Sequence, residues 1–265
     1  MNSSTLGRIS ALLLRYFFLL RSSWPRVLEI AYWPTVQMII WGFTSLHFSH
    51  SSPELTAGGI LISAVLIWDS LFRSHISYTL SFLEEMWSRN LGHLFVSPLK
   101  PSEFVIAMMT MSLLRGIIGL MPSWILAYVF FEFSVFSYGP GIVAFFSCLF
   151  VMGWGLGMAV IALVLRFGLG AESLAWVAIF AFAPISAVYY PVATLPEWLQ
   201  VVAWCTPSAY VFEGMRAVFI DGVFRTDLLM GAIGVNLVYL AIGAGLFAWS
   251  FASAREHGRL LQMGE

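Results

Sequence analysis

An all-α, polytopic membrane fold is what this sequence predicts, and three observations carry that reading. Of 265 residues, 60% are hydrophobic and 10% charged, against about 25% charged in a soluble domain. Mean hydropathy is +0.86. The apolar residues gather into six runs, at about 27–48, 56–82, 103–131, 139–165, 172–190 and 228–252, each near the ~20 residues a helix needs to cross a bilayer core. A net charge of -1 gives no bulk attraction for nucleic acid, so none is expected as a partner. Cys148 and Cys205 are too few for a disulfide framework and read as packed small side chains.

Residues 5–23 precede the first run and read as an amphipathic helix. Leu6, Ile9, Leu13, Phe17 and Leu20 recur at three- and four-residue steps, while Ser4, Arg8, Ala11, Arg15 and Ser22 take the other side. Arginines opposite an apolar face are the pattern of a helix lying in the cytoplasmic interface. Arg8, Arg15 and Arg21 also interrupt any run that would serve as a cleavable signal. Trp24-Pro25 then ends this helix, so 1–26 is predicted to form the interfacial segment.

The first span, 27–48, is crowded with Tyr32, Trp33, Trp41 and Phe43. At its outer end His47, His50 and Glu54 are spaced as metal ligands can be. No complete ligand set is fixed there, and no metal site is assigned.

The second and third spans flank a polar loop, 83–102, with Glu84, Glu85, Arg89, His93 and Lys100. Met86, Trp87, Leu91 and Leu94 are predicted to be exposed on a short helix in this loop. Such apolar anchors dock into a partner's groove, although the same pattern suits a helix resting on lipid. Inside the two spans lie Asp69, Arg73 and Arg115. Asp69 and Arg115 are 13 and 12 residues from the ends at Phe82 and Glu103, about 20 and about 18 Å deep at ~1.5 Å per residue. An unpaired charge at that depth is costly. An Arg73–Asp69–Arg115 cluster is therefore predicted, with a local Asp69–Arg73 pair as the alternative.

The fourth span holds Gly153, Gly155 and Gly157. Inside an apolar run they point to close helix packing rather than to a phosphate loop. No G-x-x-x-x-G-K-[ST] occurs, so no phosphate-binding loop and no cofactor are assigned to this chain. No G-x-S-x-G elbow or Glu-x-x-His pair supplies a nucleophile for hydrolysis, and no catalytic residue is assigned. Between the fifth and sixth spans, 191–227 is apolar but cut by Pro191, Pro196 and Pro207. It is predicted to form a re-entrant helix pair, because irregular backbone at membrane depth must be covered by protein or face water.

Orientation follows from the basic residues. One side holds Arg8, Arg15, Arg21, Arg26, Arg89, Lys100, Arg166, Arg255 and Arg259, and the other only Arg216 and Arg225. Nine against two places both termini and the 83–102 loop in the cytoplasm and 191–227 outside.

Two stretches resemble a known family. In the loop, Arg89-Asn90, Leu94-Phe95-Val96, Ser97-Pro98 and Leu99-Lys100 are similar to the coupling helix of ABC-2 type permeases, the membrane halves of ATP-driven exporters. Gly92-His93 departs from the acidic residues common there. The second stretch, Pro191 through Leu195-Pro196-x-Trp198-Leu199 to Pro207, Tyr210, Glu213 and Arg216, resembles the closing segment of the same family. The likeness runs over nearly the whole chain.

The resemblance implies a single domain over 1–265 with six transmembrane helices, acting as a permease subunit in the bacterial inner membrane. It implies two cytosolic ABC ATPase subunits as partners, which would carry ATP and its magnesium, a homodimer or a heterodimer with a related permease, and surrounding membrane lipid. Glu85, Met86, Trp87, Arg89, Asn90, Leu91, Leu94, Ser97 and Pro98 are then ATPase-coupling residues. Pro191, Leu195, Pro196, Trp198, Pro207, Tyr210, Glu213 and Arg216 belong to an outer gate. The implied cargo is lipid-linked, a polysaccharide or a hydrophobic drug-like molecule. The competing readings are a stand-alone channel, an intramembrane enzyme, or an ABC permease that does not transport.

Overall fold

The structure of the protein, a computed structural model, describes residues 4–49, 60–134, 139 and 141–258. His50 and Glu54 lie outside these residues. Among the described residues there is no strand. The helices are α1 (Thr5–Arg21), α2 (Trp24–Ser49), α3 (Ile60–Trp87), α4 (Leu91–Val96), α5 (Pro101–Phe131), α6 (Gly141–Phe167), α7 (Leu174–Phe182), α8 (Glu197–Trp204), α9 (Pro207–Arg216) and α10 (Thr226–Glu256). Short 3₁₀ turns lie at Leu169–Ala171 and Val192–Thr194, and a π-turn at Ala217–Asp221 follows α9.

Among the described residues three helices, α5, α6 and α10, are long and apolar enough to cross a membrane. With 26 and 28 residues, α2 and α3 match them in length, but α3 carries Asp69, Arg73, His75, Glu84 and Glu85. The most buried of the three is α6, packed between α3 and α10. In turn α5 packs on α3 and α2, α1 lies along α5, and α9 sits across α6 and α10.

The glycines of α6 explain that central position. A Cβ at Gly153 would stand 2.6 Å from the Ser74 hydroxyl of α3, and one at Gly155 would stand 3.1 Å from the Tyr239 backbone of α10. Gly157 faces Tyr78, and Gly243 of α10 faces the Gly155 carbonyl. Small residues let backbones approach where no hydrophobic effect drives helices together. Polar side chains then tie the bundle. Ser74 donates to Phe150 O at 2.7 Å, Ser112 to Ser74 O at 2.9 Å and Asn236 to Cys148 O at 3.0 Å. His75 Nε2 donates to Ala175 O at 2.8 Å, joining α3 to α7.

The outside of the bundle is apolar. Ile106, Leu113, Ile117 and Ile125 of α5 are exposed, as are Ile233, Leu237, Val238 and Ile242 of α10. Continuous apolar surface of this kind marks a face that water does not cover.

Two boundaries differ from the sequence reading. The second run does not end at residue 82, because α3 continues through Trp87. It stops where Arg89 adopts φ 56 and Asn90 N bonds back to Glu85 O at 2.9 Å, a left-handed helix end with arginine where glycine is usual. The fifth run does not form one helix over 172–190. Instead α7 ends at Phe182, and the chain turns through residues 183–190. Pro184 has no N–H to continue the ladder, and Ile185 and Ser186 both turn back to Phe182 O.

Candidate functional site

Two sites stand at opposite ends of the bundle. At the α4 end, carboxylates at the lips of the α3–α5 connection meet arginines from α1, α2 and α5. The entry to α5 is fixed first. Pro101 opens the helix, and Glu103 accepts from Lys100 N at 3.0 Å in a capping arrangement. The same carboxylate takes a two-pronged contact from Arg8, at 2.8 Å from Nε and 2.6 Å from Nη2. Hydrogen bonding to Glu103 raises the Arg8 guanidinium above its ordinary pKa.

Seven residues along α1, Arg15 Nη2 lies 2.9 Å from Glu85 Oε2, and Asn90 Nδ2 donates to that oxygen at 2.7 Å. Glu84 accepts from Arg115 of α5 at 3.0 Å and faces Arg26 of α2 at 3.7 Å. Trp87 Nε1 donates to Glu172 at 2.9 Å, ahead of α7.

This arrangement corrects the predicted face of α1. Arg8 and Arg15 turn toward the protein, alongside buried Leu12, Tyr16 and Leu20. The exposed side carries Leu6, Leu14, Phe17 and Phe18. Carboxylates that need partners outweigh a simple apolar-in pattern, since a buried charge without a counter-ion costs several kcal/mol, roughly.

The loop face is corrected as well. Leu91 is 4% exposed and packs with Leu94, Phe95 and Leu99 in the core below α5 and α10. Phe95 makes edge contacts with Phe104 and Phe251 at 5.5 and 4.6 Å. Glu85 is buried, and Asn90 is spent on it. The outward residues are Trp87, Ser88, Arg89, His93, Val96, Ser97 and Pro98, with Val96 88% exposed and Met86 half-buried.

The predicted Arg73–Asp69–Arg115 cluster does not form. Arg115 reaches Glu84 and, through Nη1 at 3.3 Å, the Ser81 hydroxyl. The local alternative holds in part, since Asp69 and Arg73 act on each other through charge, although Asp69 Oδ2 and Arg73 Nε and Nη2 have no hydrogen-bond partner. The reason is directional. Side chains lean toward the N-terminus of their own helix. On α3, which ends at the α4 connection, Glu84 leans up into the bundle. On α5, which begins there, Arg115 leans down. Asp69 leans away from Arg115, although the two Cα atoms were counted to one depth.

At the other end, α9 clasps the segment that follows α7. Glu213 accepts from Val192 N at 2.6 Å and pairs with Arg216 at 3.0 Å. Arg216 Nη2 donates to the carbonyls of Ala187 and Tyr190, the latter at 2.8 Å. Ala187 is buried with φ 54, a conformation L-residues rarely adopt, and its carbonyl is held by this guanidinium.

Prolines set the turns. Pro191 precedes the Val192–Thr194 turn, Leu195-Pro196 lead into α8, and Pro207 opens α9 behind a Thr206 cap. Ser208 joins Ser186 at 2.8 Å. Tyr210 lies over Gly231 of α10 and meets Trp204 edge-on at 4.8 Å. Trp198 projects, 70% exposed.

A family model described as ABC-2 type transporter matches residues 9–220, from within α1 to the π-turn after α9, and so takes in both sites. The chain belongs to the ABC-2 type transporter family. It is an integral membrane protein of a transport family, the permease component, and membership implies association with an ABC ATPase subunit. No curated protein matches it.

Within this ABC-2 protein, sequence reasoning missed the charge clamp of Arg8, Arg15, Arg26, Glu84 and Glu103. Its signal was present, in acidic residues at both lips of one short connection facing arginines in the segments before it. His47 has an interaction within the chain, and no group of three metal-ligating residues occurs among the described residues.

Proposed function

We propose that the chain is the permease subunit of an ATP-driven exporter. The observation that carries this is the family match over 9–220, which covers both the α3–α4 elbow and the α9 clasp. In this reading α2, α3, α5, α6 and α10 serve as five spans, and α7 together with the turns at 169–171 and 183–190 serves as the sixth. The basic α4 end lies in the cytoplasm, and α8 and α9 form the outer re-entrant pair. Two cytosolic ATPases dock on the elbow, where Trp87 and Val96 project. Two permeases, identical or closely related, enclose the path in the bacterial inner membrane. ATP closure of the ATPase pair moves the elbows. The clamp of Glu84, Glu85 and Glu103 passes that motion to α1, α2 and α5, and the clasp opens or closes the outer end. The cargo is a lipid-linked, polysaccharide or hydrophobic drug-like molecule.

The test is purification of the tagged chain with mass spectrometry of what accompanies it. A protein with a G-x-x-x-x-G-K-[ST] loop is expected, and it should be lost on Trp87→Arg. Single cysteines at Ser88 and Glu197 should label from opposite membrane faces. Labelling from one face, or the absence of any nucleotide-binding partner, would return the chain to the stand-alone channel reading.

A further inference from the structure

Near the α4 end, between α2, α3, α5 and α7, lies a cavity of about 480 Å³, within the range of small-molecule sites. Its walls are of two kinds. Trp33 of α2, Phe72 and Ile76 of α3 and Trp176 of α7 give an aromatic and aliphatic lining. Trp33 and Trp176 are 51% and 46% exposed, so the cavity opens sideways past apolar rings.

The second kind of wall is cationic and deeply placed. Arg73 and Arg115 both line the cavity at 5% and 2% exposure. Arg115 has Glu84 as its counter-charge, yet its Nε has no acceptor. In Arg73 both Nε and Nη2 are buried without an acceptor, and among the described residues it enters no ion pair. Asp69 and Glu29 act on Arg73 through charge, but no carboxylate at the cavity accepts a hydrogen bond from its Nε or Nη2. Glu84 is taken by Arg115 and Arg26, and Glu172 accepts from Trp87. Glu29 is exposed on the α2 side of the cavity and reaches Arg73 through charge alone. Asp69, one turn along α3, leaves Oδ2 equally unused.

Buried donors of a charged group call for a partner. A planar guanidinium beside apolar rings fits an oxyanion joined to a hydrocarbon chain. We infer that this cavity binds an amphiphile with an anionic headgroup, phosphate- or carboxylate-type. The headgroup oxygens accept from Arg73 and from Arg115 Nε, while the apolar part lies against Trp33, Phe72 and Trp176. The inference rests on the permease reading and gives it a substrate class. Binding itself requires no ATPase.

The test uses the purified full chain, with dodecyl phosphate as probe, followed by tryptophan fluorescence and native mass spectrometry. Saturable binding of dodecyl phosphate is expected. Arg73→Gln should weaken it by about ten-fold or more, the scale of a lost charge-assisted hydrogen bond. Arg73→Lys should fall between, because it keeps the charge and loses the fork. Asp69→Asn should bind as well or better, because it removes the nearest competing carboxylate. Inorganic phosphate alone binding as tightly would mean a free-anion site, and an uncharged dodecyl ether binding as tightly would mean an apolar pocket. Either overturns the proposal. Equal losses in Arg73→Gln and Asp69→Asn would mark a folding effect and also overturn it. Failure of ATPase co-purification beside normal dodecyl phosphate binding would count against the coupling reading and leave the cavity standing.

Discussion

Arg15 of α1 and Glu85 of α3 stand 2.9 Å apart, and the same carboxylate oxygen holds the Asn90 side chain at 2.7 Å. One buried carboxylate thus joins the N-terminal helix to the end of α3 and the start of α4. Its neighbour Glu84 joins α3 to α5 and α2. Charge pairs thus tie the end of α3 to α1, α2 and α5, and the Asn90 amide ties it to the start of α4. In a bundle whose exterior is apolar, these pairs are the directional contacts that fix how α1 sits.

The first expectation follows from that pair. Glu85→Gln should cost about 1–3 kcal/mol in detergent-solubilised stability, the range for a hydrogen bond to a charged group. In a thermal-unfolding cycle, Arg15→Gln with Glu85→Gln should show a coupling of about 0.5–3 kcal/mol. Strict additivity would mean that α1 is held by packing alone.

Arg115 should couple to Glu84 and not to Asp69. The combination Arg115→Gln, Glu84→Gln is expected to recover part of the loss of either single change. Arg115→Gln with Asp69→Asn should add. Denaturation midpoints of the two cycles decide the point, and coupling to Asp69 would restore the cluster that the geometry removes.

At the elbow, buried and projecting residues should separate cleanly. Leu91→Asp should lower stability by at least about 2–5 kcal/mol, the cost of deleting a buried leucine. Trp87→Arg should change stability by less than about 1.5 kcal/mol, the scale of the one exposed hydrogen bond it gives up to Glu172. It should nevertheless release the ATPase in a pull-down. If Trp87→Arg keeps the partner, the elbow is not the docking surface.

The α9 clasp should show itself in hydrogen exchange. Glu213→Gln weakens the acceptor for Val192 N, and Arg216→Gln frees the carbonyls of Ala187 and Tyr190. Exchange at Val192 and its neighbours should quicken by about ten-fold or more. The α3–α4 elbow should exchange as before. Matching acceleration at both ends would show general loosening instead of a local clasp.

Two glycines on one helix make a matched pair. A Cβ at Gly243 would overlap the Gly155 carbonyl oxygen, whereas nothing lies within 4 Å of one at Gly234. Gly243→Ala should therefore destabilise by about 1–3 kcal/mol. Gly234→Ala should be neutral or stabilise by about 0.5–1 kcal/mol through helix propensity. Unfolding of the two variants under one condition checks both signs.

The sequence by itself determined the all-helical membrane character, the family and the glycine-mediated packing of α6, and it set Glu213 and Arg216 three residues apart, where one helix pairs them. Each of these rests on composition, on short spacing or on a local motif. Hydropathy averages over neighbours in the chain, and residues three apart on a helix meet whatever surrounds them. The tertiary structure alone decided the rest. Leu91 reads as a projecting anchor until Phe104 and Phe251 are seen to close over its helix. Arg8 and Arg15 read as interfacial until Glu103 and Glu85 arrive from elements about 95 and 70 residues away. Arg115 passes over a carboxylate at its own depth for one a few turns lower, because antiparallel helices tilt their side chains in opposite senses. Depth along a span is a one-dimensional quantity that a sequence supplies. Which charge faces which depends on rotation about each helix axis and on side-chain direction, and packing fixes both.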